Sequence, residues 1–133
     1  MESRLLGRNG PEVPVLCLGT WPLGGGYGYL PRDRVISTIH AAINSGMNFV
    51  DTAEGYENSE HLLGIALKGR RSRVFLATKL TGDHSTEHMF SAIENSLRSL
   101  QTDYIDLYQL HSPRPDRPIE ETMDDLLKLK KEG

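Results

Sequence analysis

Four side chains capable of proton chemistry stand at or just past the ends of short apolar runs: Asp51, Tyr56, Lys79 and His111. Asp51 follows Met47-Asn48-Phe49-Val50, Lys79 follows Val74-Phe75-Leu76-Ala77-Thr78, and His111 follows Tyr104-Ile105-Asp106-Leu107-Tyr108-Gln109-Leu110, while Tyr56 lies in the stretch after Asp51. A tyrosine with its ordinary pKa of ~10 is a poor acid at neutral pH, and a neighbouring ammonium group corrects this by stabilising the phenolate. An aspartate can pair with that lysine, and a histidine can donate a hydrogen bond that orients a carbonyl oxygen. The chemistry these four types suggest together is reduction of a carbonyl with Tyr56 as proton donor, Lys79 and Asp51 as its tuning pair and His111 as the orienting group. That chemistry requires no metal.

The elements that must bring them together alternate between strand and helix. A first strand is expected around Val13 to Leu18, after a small hairpin from Leu5 to Val13 turning at Arg8-Asn9-Gly10-Pro11. Helix follows from about Arg32 to Ser45, with Val35, Ile36, Ile39, Ala42 and Ile43 on one face and Gly46 as its stop. The second strand is Met47 to Val50, followed by a helix N-capped by Asn58, burying Leu62, Leu63, Ala66 and Leu67 and ending at Gly69. The third strand is Val74 to Thr78, and its helix runs from Thr86 to Leu100 with Met89, Ile93, Leu97 and Leu100 inward. The fourth strand is Tyr104 to Leu110, and a last helix from Pro118 to Lys131 carries Glu120 and Glu121 at its positive end and lysines at its negative end.

Strands joined through amphipathic helices imply right-handed crossovers and a parallel sheet, so the class is α/β. Spacing alone fits a doubly wound sheet or a (βα) barrel. Ionisable residues at the carboxyl ends of three successive strands favour the barrel, whose loops at that end converge on one pocket.

Composition narrows the function classes. The chain has 133 residues and a formal net charge of −3, which points to neither nucleic acid nor an anionic membrane surface as partner. One cysteine, Cys17, excludes an intramolecular disulfide, and its setting among Val15, Leu16 and Leu18 predicts a small buried hydrophobe. The N-terminus lacks the apolar stretch of a signal peptide and no run is long enough to span a membrane, so a reducing, cytoplasmic setting is expected.

The segment Met47-Asn48-Phe49-Val50-Asp51-Thr52-Ala53-Glu54-Gly55-Tyr56, with Asn58-Ser59-Glu60 after it, resembles the signature of the aldo-keto reductases. Leu18-Gly19-Thr20-Trp21, Leu63-Gly64-Ile65-Ala66-Leu67, Ala77-Thr78-Lys79 and Asp106-Leu107-Tyr108-Gln109-Leu110-His111 follow in that family's order. The resemblance covers essentially all of residues 1–133 and implies a TIM barrel that reduces small aldehydes or ketones with NADPH. It matches Asp51, Tyr56, Lys79 and His111 to the family's catalytic tetrad, and brings Thr20, Trp21 and Asp51 to the nicotinamide end of the cofactor. Glu57 departs from the glycine usual after the tyrosine, and Ser112 from the tryptophan many members carry after the histidine. A whole barrel has eight βα units in ~250 residues. Four are present, so the residues read as an N-terminal half-barrel without most of the family's nucleotide-gripping loops. Its first and fourth strands would offer unpaired edges for self-association. The alternative is a truncated, non-catalytic fragment or an interaction module.

Three other features invite plainer readings. Gly24-Gly25-Gly26-Tyr27-Gly28 lacks the Lys-Ser or Lys-Thr of a phosphate loop and reads as a mobile loop over the pocket. His84 and His88 read as surface histidines, and Lys68-Gly69-Arg70-Arg71-Ser72-Arg73 as a solvated turn.

Overall fold

The structure, a computed structural model, describes all of residues 1–133. A small antiparallel ribbon comes first, pairing β1 (Ser3–Leu5) with β2 (Glu12–Pro14) in the register Ser3 opposite Pro14. The barrel strand expected from Val13 onward is divided from this ribbon. Pro14 has no N–H to continue a ladder, the chain bends at Val15 and Leu16, and β3 occupies only Cys17–Gly19.

Four parallel strands then lie side by side in sequence order: β3, β4 (Phe49–Asp51), β5 (Phe75–Leu80) and β6 (Leu107–Leu110). Four helices alternate with them, α1 (Arg32–Asn44), α2 (Ser59–Ala66), α3 (Thr86–Leu100) and α4 (Ile119–Glu132). Unbroken strand order with the helices on one face distinguishes this arrangement from a doubly wound sheet. It is an arc of a (βα) barrel, with helices outside and the inner face open.

Strand parity explains which face is which. Val50 and Leu76 enter a core with Val35, Ile39 and Ile43 of α1, Leu63 and Ala66 of α2, and Leu100 of α3. A second group, Leu80 with Met89 and Ala92 of α3, packs against Tyr108, Leu110, Leu126 and Leu129. Because successive side chains alternate, Cys17, Phe49, Asp51, Phe75, Lys79, Leu107 and Gln109 occupy the opposite, inner face. There Phe49 and Phe75 meet edge to face at 5.2 Å between ring centroids.

Helix ends follow local chemistry. Gly46 and Gly69 stop α1 and α2 with φ of 88° and 70°, the left-handed conformation that glycine takes at least cost. Ser85 caps α3 through the His88 N–H. Asn58, expected to cap α2, makes no side-chain cap bond, and its neighbour Ser59 turns inward instead. The inward stripe of α3 also shifts: Ala92 and Ser96 are buried with Met89 and Leu100, while Ile93 and Leu97 are half-buried.

Three further expectations are corrected. Cys17 is exposed, because β3 is an edge strand and nothing covers the inner face against it. His84 is buried, held beneath the Arg117 guanidinium, which donates to its carbonyl. Within the basic turn Arg71 is a structural tie: its guanidinium donates to the Val74 and Tyr104 carbonyls, to Thr102 and to Asp106, and lies 3.8 Å from the Tyr104 ring centroid.

Candidate active site

The carboxyl ends of β3 to β6 form one rim, and the four residues singled out from the sequence meet there. Asp51 is the last residue of β4, and Lys79 lies one residue before the end of β5, which runs two residues further than its apolar pattern predicts. Both face inward by parity. The Lys79 Nζ donates to Asp51 Oδ2 at 2.5 Å, to the Thr52 carbonyl at 2.8 Å and to the Tyr56 hydroxyl at 3.4 Å. Only about a seventh of the Lys79 side chain is exposed (14%), so three oxygens and little water surround the ammonium. Such a partly desolvated ion pair is electrostatically stronger than one on the surface.

His111 follows β6 and anchors its N–H to the Leu80 carbonyl at 3.0 Å. Its ring meets that of Tyr56 edge to face, with centroids 5.4 Å apart. Its Nδ1 is 3.0 Å from the Thr81 hydroxyl.

Tyr56 is placed by a tight loop. Its N–H reaches the Ala53 carbonyl, its carbonyl accepts from the Ser59 N–H, and Glu57 after it adopts φ 46°. A glutamate therefore occupies the left-handed conformation that favours glycine, at a cost carried by the closure of this loop.

Thr20 and Trp21 differ in what they present. Thr20 is fully buried: its hydroxyl donates to the Asp51 carbonyl at 2.8 Å and receives Ser59 Oγ at 2.7 Å, tying the end of β3 to β4 and to the start of α2. Ser59 also meets Thr52 Oγ1 at 2.9 Å. Trp21 is 42% exposed and stacks edge to face on Tyr27, 4.8 Å between centroids. The glycine-rich stretch coils into a short turn over Pro22–Gly26 that is broken at Gly25, where φ is 124°. No group of three or more His, Cys, Asp or Glu side chains is arranged to hold a metal ion.

A phenol, an ammonium, a carboxylate and an imidazole thus gather on the open rim of a parallel barrel arc. The aldo/keto reductase family model matches residues 15–133. The chain belongs to the aldo/keto reductase family. Among its relatives is the aldo-keto reductase YhdN of Bacillus subtilis, 41% identical over 97% of this chain and 43% of the relative. An aldo-keto reductase from Bacillus halodurans, solved in its holo form, superposes with a TM-score of 0.90 at 37% identity, covering all of this chain and 47% of that one. One from Klebsiella pneumoniae, solved with NADPH, gives 0.84 at 41% identity over 92% of this chain and 43% of that one. The chain thus spans less than half the length of these relatives.

Other residues of this aldo/keto reductase rim were not legible as site residues. Gln109 donates its amide to Asp51 Oδ1 at 3.2 Å, holding the carboxylate from the side opposite Lys79. Parity could have found it, since Gln109 sits in register with Lys79 on the same face. Glu54 accepts the Thr81 N–H and stands 3.5 Å from His88 Nε2. Behind β5, the buried Glu60 carboxylate accepts the Thr78 hydroxyl at 2.7 Å, and burial raises its pKa. Burial likewise raises that of the Tyr108 phenol, whose hydroxyl has no hydrogen-bond partner.

Proposed function

We propose that residues 1–133 are the N-terminal half of an aldo-keto reductase barrel domain that reduces an aldehyde or ketone to an alcohol with NADPH in the cytoplasm. The observation that carries this reading is the position of the Lys79 ammonium, in contact at once with Asp51, the Thr52 carbonyl and the Tyr56 hydroxyl. Three interactions on one ammonium leave it fixed, and the phenol is the only proton source among its partners.

NADPH, when bound, supplies the hydride that goes to the carbonyl carbon. As negative charge develops on the carbonyl oxygen, Tyr56 transfers its hydroxyl proton there. Lys79 stabilises the phenolate that remains, until water returns a proton to it. Asp51 balances the ammonium, and Gln109 keeps the carboxylate turned towards it. His111 donates a hydrogen bond to the same carbonyl oxygen and sets its direction. Trp21, exposed, would offer a flat apolar surface to the nicotinamide end, and Asp51 a polar one. Thr20, whose hydroxyl is committed elsewhere, contributes through the backbone it fixes. The substrate is a small carbonyl compound. No helix is long and apolar enough to cross a membrane.

Kinetic assay with NADPH and a small aldehyde tests this reading. Tyr56→Phe should abolish turnover by a factor of about 1,000 or more, the upper range of what a positioned general acid contributes. Unchanged turnover rejects the proton-donor role. Titration of the purified chain with NADPH separates the enzyme from a non-catalytic module: micromolar binding supports the former, and none at millimolar cofactor the latter.

The second reading is an interaction module, favoured by the edges of β3 and β6, which pair with no further strand. Val15 and Leu16 beside β3 are 47% and 53% exposed. We propose that two copies associate through these edges, burying apolar groups that water now reaches. Light scattering should find a dimer; a compact monomer rejects the association.

A further inference from the structure

Thr81 is the first residue past β5, and it is held from three sides. Its N–H donates to the Glu54 carboxylate from the loop after β4. The carbonyl before it, that of Leu80, receives the His111 N–H at 3.0 Å. Gly55 lies directly above: a Cβ at that position would come within 2.9 Å of Thr81 Cγ2 and 3.2 Å of Oγ1. Backbone and side chain are therefore confined, and the hydroxyl has one hydrogen-bond partner in the chain, His111 Nδ1 at 3.0 Å.

A neutral imidazole carries its proton on one nitrogen and accepts on the other, and the partner of one nitrogen decides the state of both. Within the chain Nδ1 is the one acceptor in reach of this part-exposed hydroxyl, and the confined side chain is aimed at it rather than at open water, so the hydroxyl donates to Nδ1. That leaves Nε2 as the protonated nitrogen. We infer that Thr81 is a positioning residue that fixes His111 in the tautomer whose Nε2–H can donate to a substrate carbonyl, an inference that rests on the proposed role of His111. Glu54 and Gly55 serve the same end. Glu54 pins the Thr81 backbone, and the bare Cα of Gly55 leaves the side chain room to reach the ring. The same logic governs histidines whose distal nitrogen does chemistry while the other is held by an outer partner.

The test needs neither cofactor nor substrate. Nitrogen-15 spectra of the histidine side chains are recorded on the purified chain at a pH where imidazoles are neutral, with the His111 signals identified by their absence in His111→Asn. The native chain should show an unprotonated, pyridine-type Nδ1 and a protonated, pyrrole-type Nε2, widely separated in shift. In Thr81→Val, which keeps the side-chain volume, the two shifts should converge as the second tautomer becomes populated. Thr81→Ser, which restores the hydroxyl, should separate them again. A protonated Nδ1 in the native chain, or a Thr81→Val spectrum identical to it, overturns the inference. Because the readout is the ring itself, the result stands apart from whether the chain reduces carbonyls. Loss of turnover in Tyr56→Phe with an unaltered His111 spectrum in Thr81→Val would retain the enzyme and discard Thr81.

Discussion

The two faces of the four-stranded sheet are made from the same strands and do different work. On the helix side Val50, Leu76 and Leu80 are fully buried and touch hydrocarbon from every helix. On the inner side Phe49 and Phe75 remain half-buried, Cys17 is exposed, and the polar atoms of Asp51, Lys79 and Gln109 bond to one another. Alternate residues along a single strand thus belong to a stabilising layer or to the layer that carries the proposed site. Stability and chemistry are separated by parity, which allows the reactive face to remain partly hydrated without weakening the core.

Truncating one residue on each side of β5 should expose this difference most strongly. Leu76→Ala opens a void in the sealed core and should cost about 3 kcal/mol, within the range of buried leucine truncations. Its neighbour Phe75→Ala removes a ring that already meets water, for about 1 kcal/mol on the area it buries. Urea denaturation of the two variants measures both. Equal losses would show that the inner face is as tightly packed as the outer, and the comparison would fail.

Much of this architecture is legible in the amino-acid sequence. Helix-period runs located α1 and α3, and the glycines at 46 and 69 located the ends of α1 and α2, because apolar spacing and left-handed stops are local properties. The candidate site residues could be placed at or just past strand ends for the same reason. What could not be read depends on neighbours in space. Cys17 sits among apolar residues in the chain but at an uncovered sheet edge in the fold. Arg71 looks like one of four charges in a turn, yet only the approach of Tyr104 and Asp106 makes it a tie. Ser59 displaced Asn58 as the informative residue of its turn because Thr20, far away in sequence, offers it an oxygen.

Charge on the helix side gives the next contrast. Asp125 of α4 is buried and receives Lys128, Thr86 and Arg117, which hold its carboxyl well below the usual carboxylate range. A carboxyl with a lowered folded pKa stabilises fully above its unfolded value near 4, and that contribution is lost as acid titrates it. Asp125→Asn should cost about 2 kcal/mol at neutral pH, the scale of a hydrogen bond to a charged group, and should remove part of the fall in melting temperature below pH 4. Parallel acid-melting curves for variant and native chain would contradict the assignment.

Glu60 lies behind the same sheet with the opposite sign. Burial raises its pKa more than the Thr78 and Ser96 hydroxyls lower it. The unfolded chain then releases this proton first as pH rises above about 4.5, so the fold loses stability until the buried carboxyl also ionises. Glu60→Gln keeps an acceptor for Thr78 and should match the native melting temperature near pH 4 and exceed it slightly at pH 7. A variant that matches the native chain at pH 4 but is less stable at pH 7 would mean that the charge itself is needed there.

The smallest effect expected is on the inner face, at Cys17, where exposure and reactivity part company. Burial of its surroundings, followed by the negative charge of Asp51, pushes the thiol up to about 11, and Lys79 offsets only part of this. Thiolate is the reactive form, so at pH 8 only about one Cys17 in a thousand is ready to react. Alkylation by iodoacetamide should therefore be slow for an exposed cysteine and should accelerate tenfold per pH unit up to about 11. Asp51→Asn removes the second cause and leaves the larger first, so it should speed the reaction several-fold without bringing it to the rate of a free thiol. A rate already equal to that of a small thiol at pH 8 would show that water reaches the sulfur freely. The inner face would then be solvated throughout, and the low hydration that strengthens the Lys79 pairing would need another source.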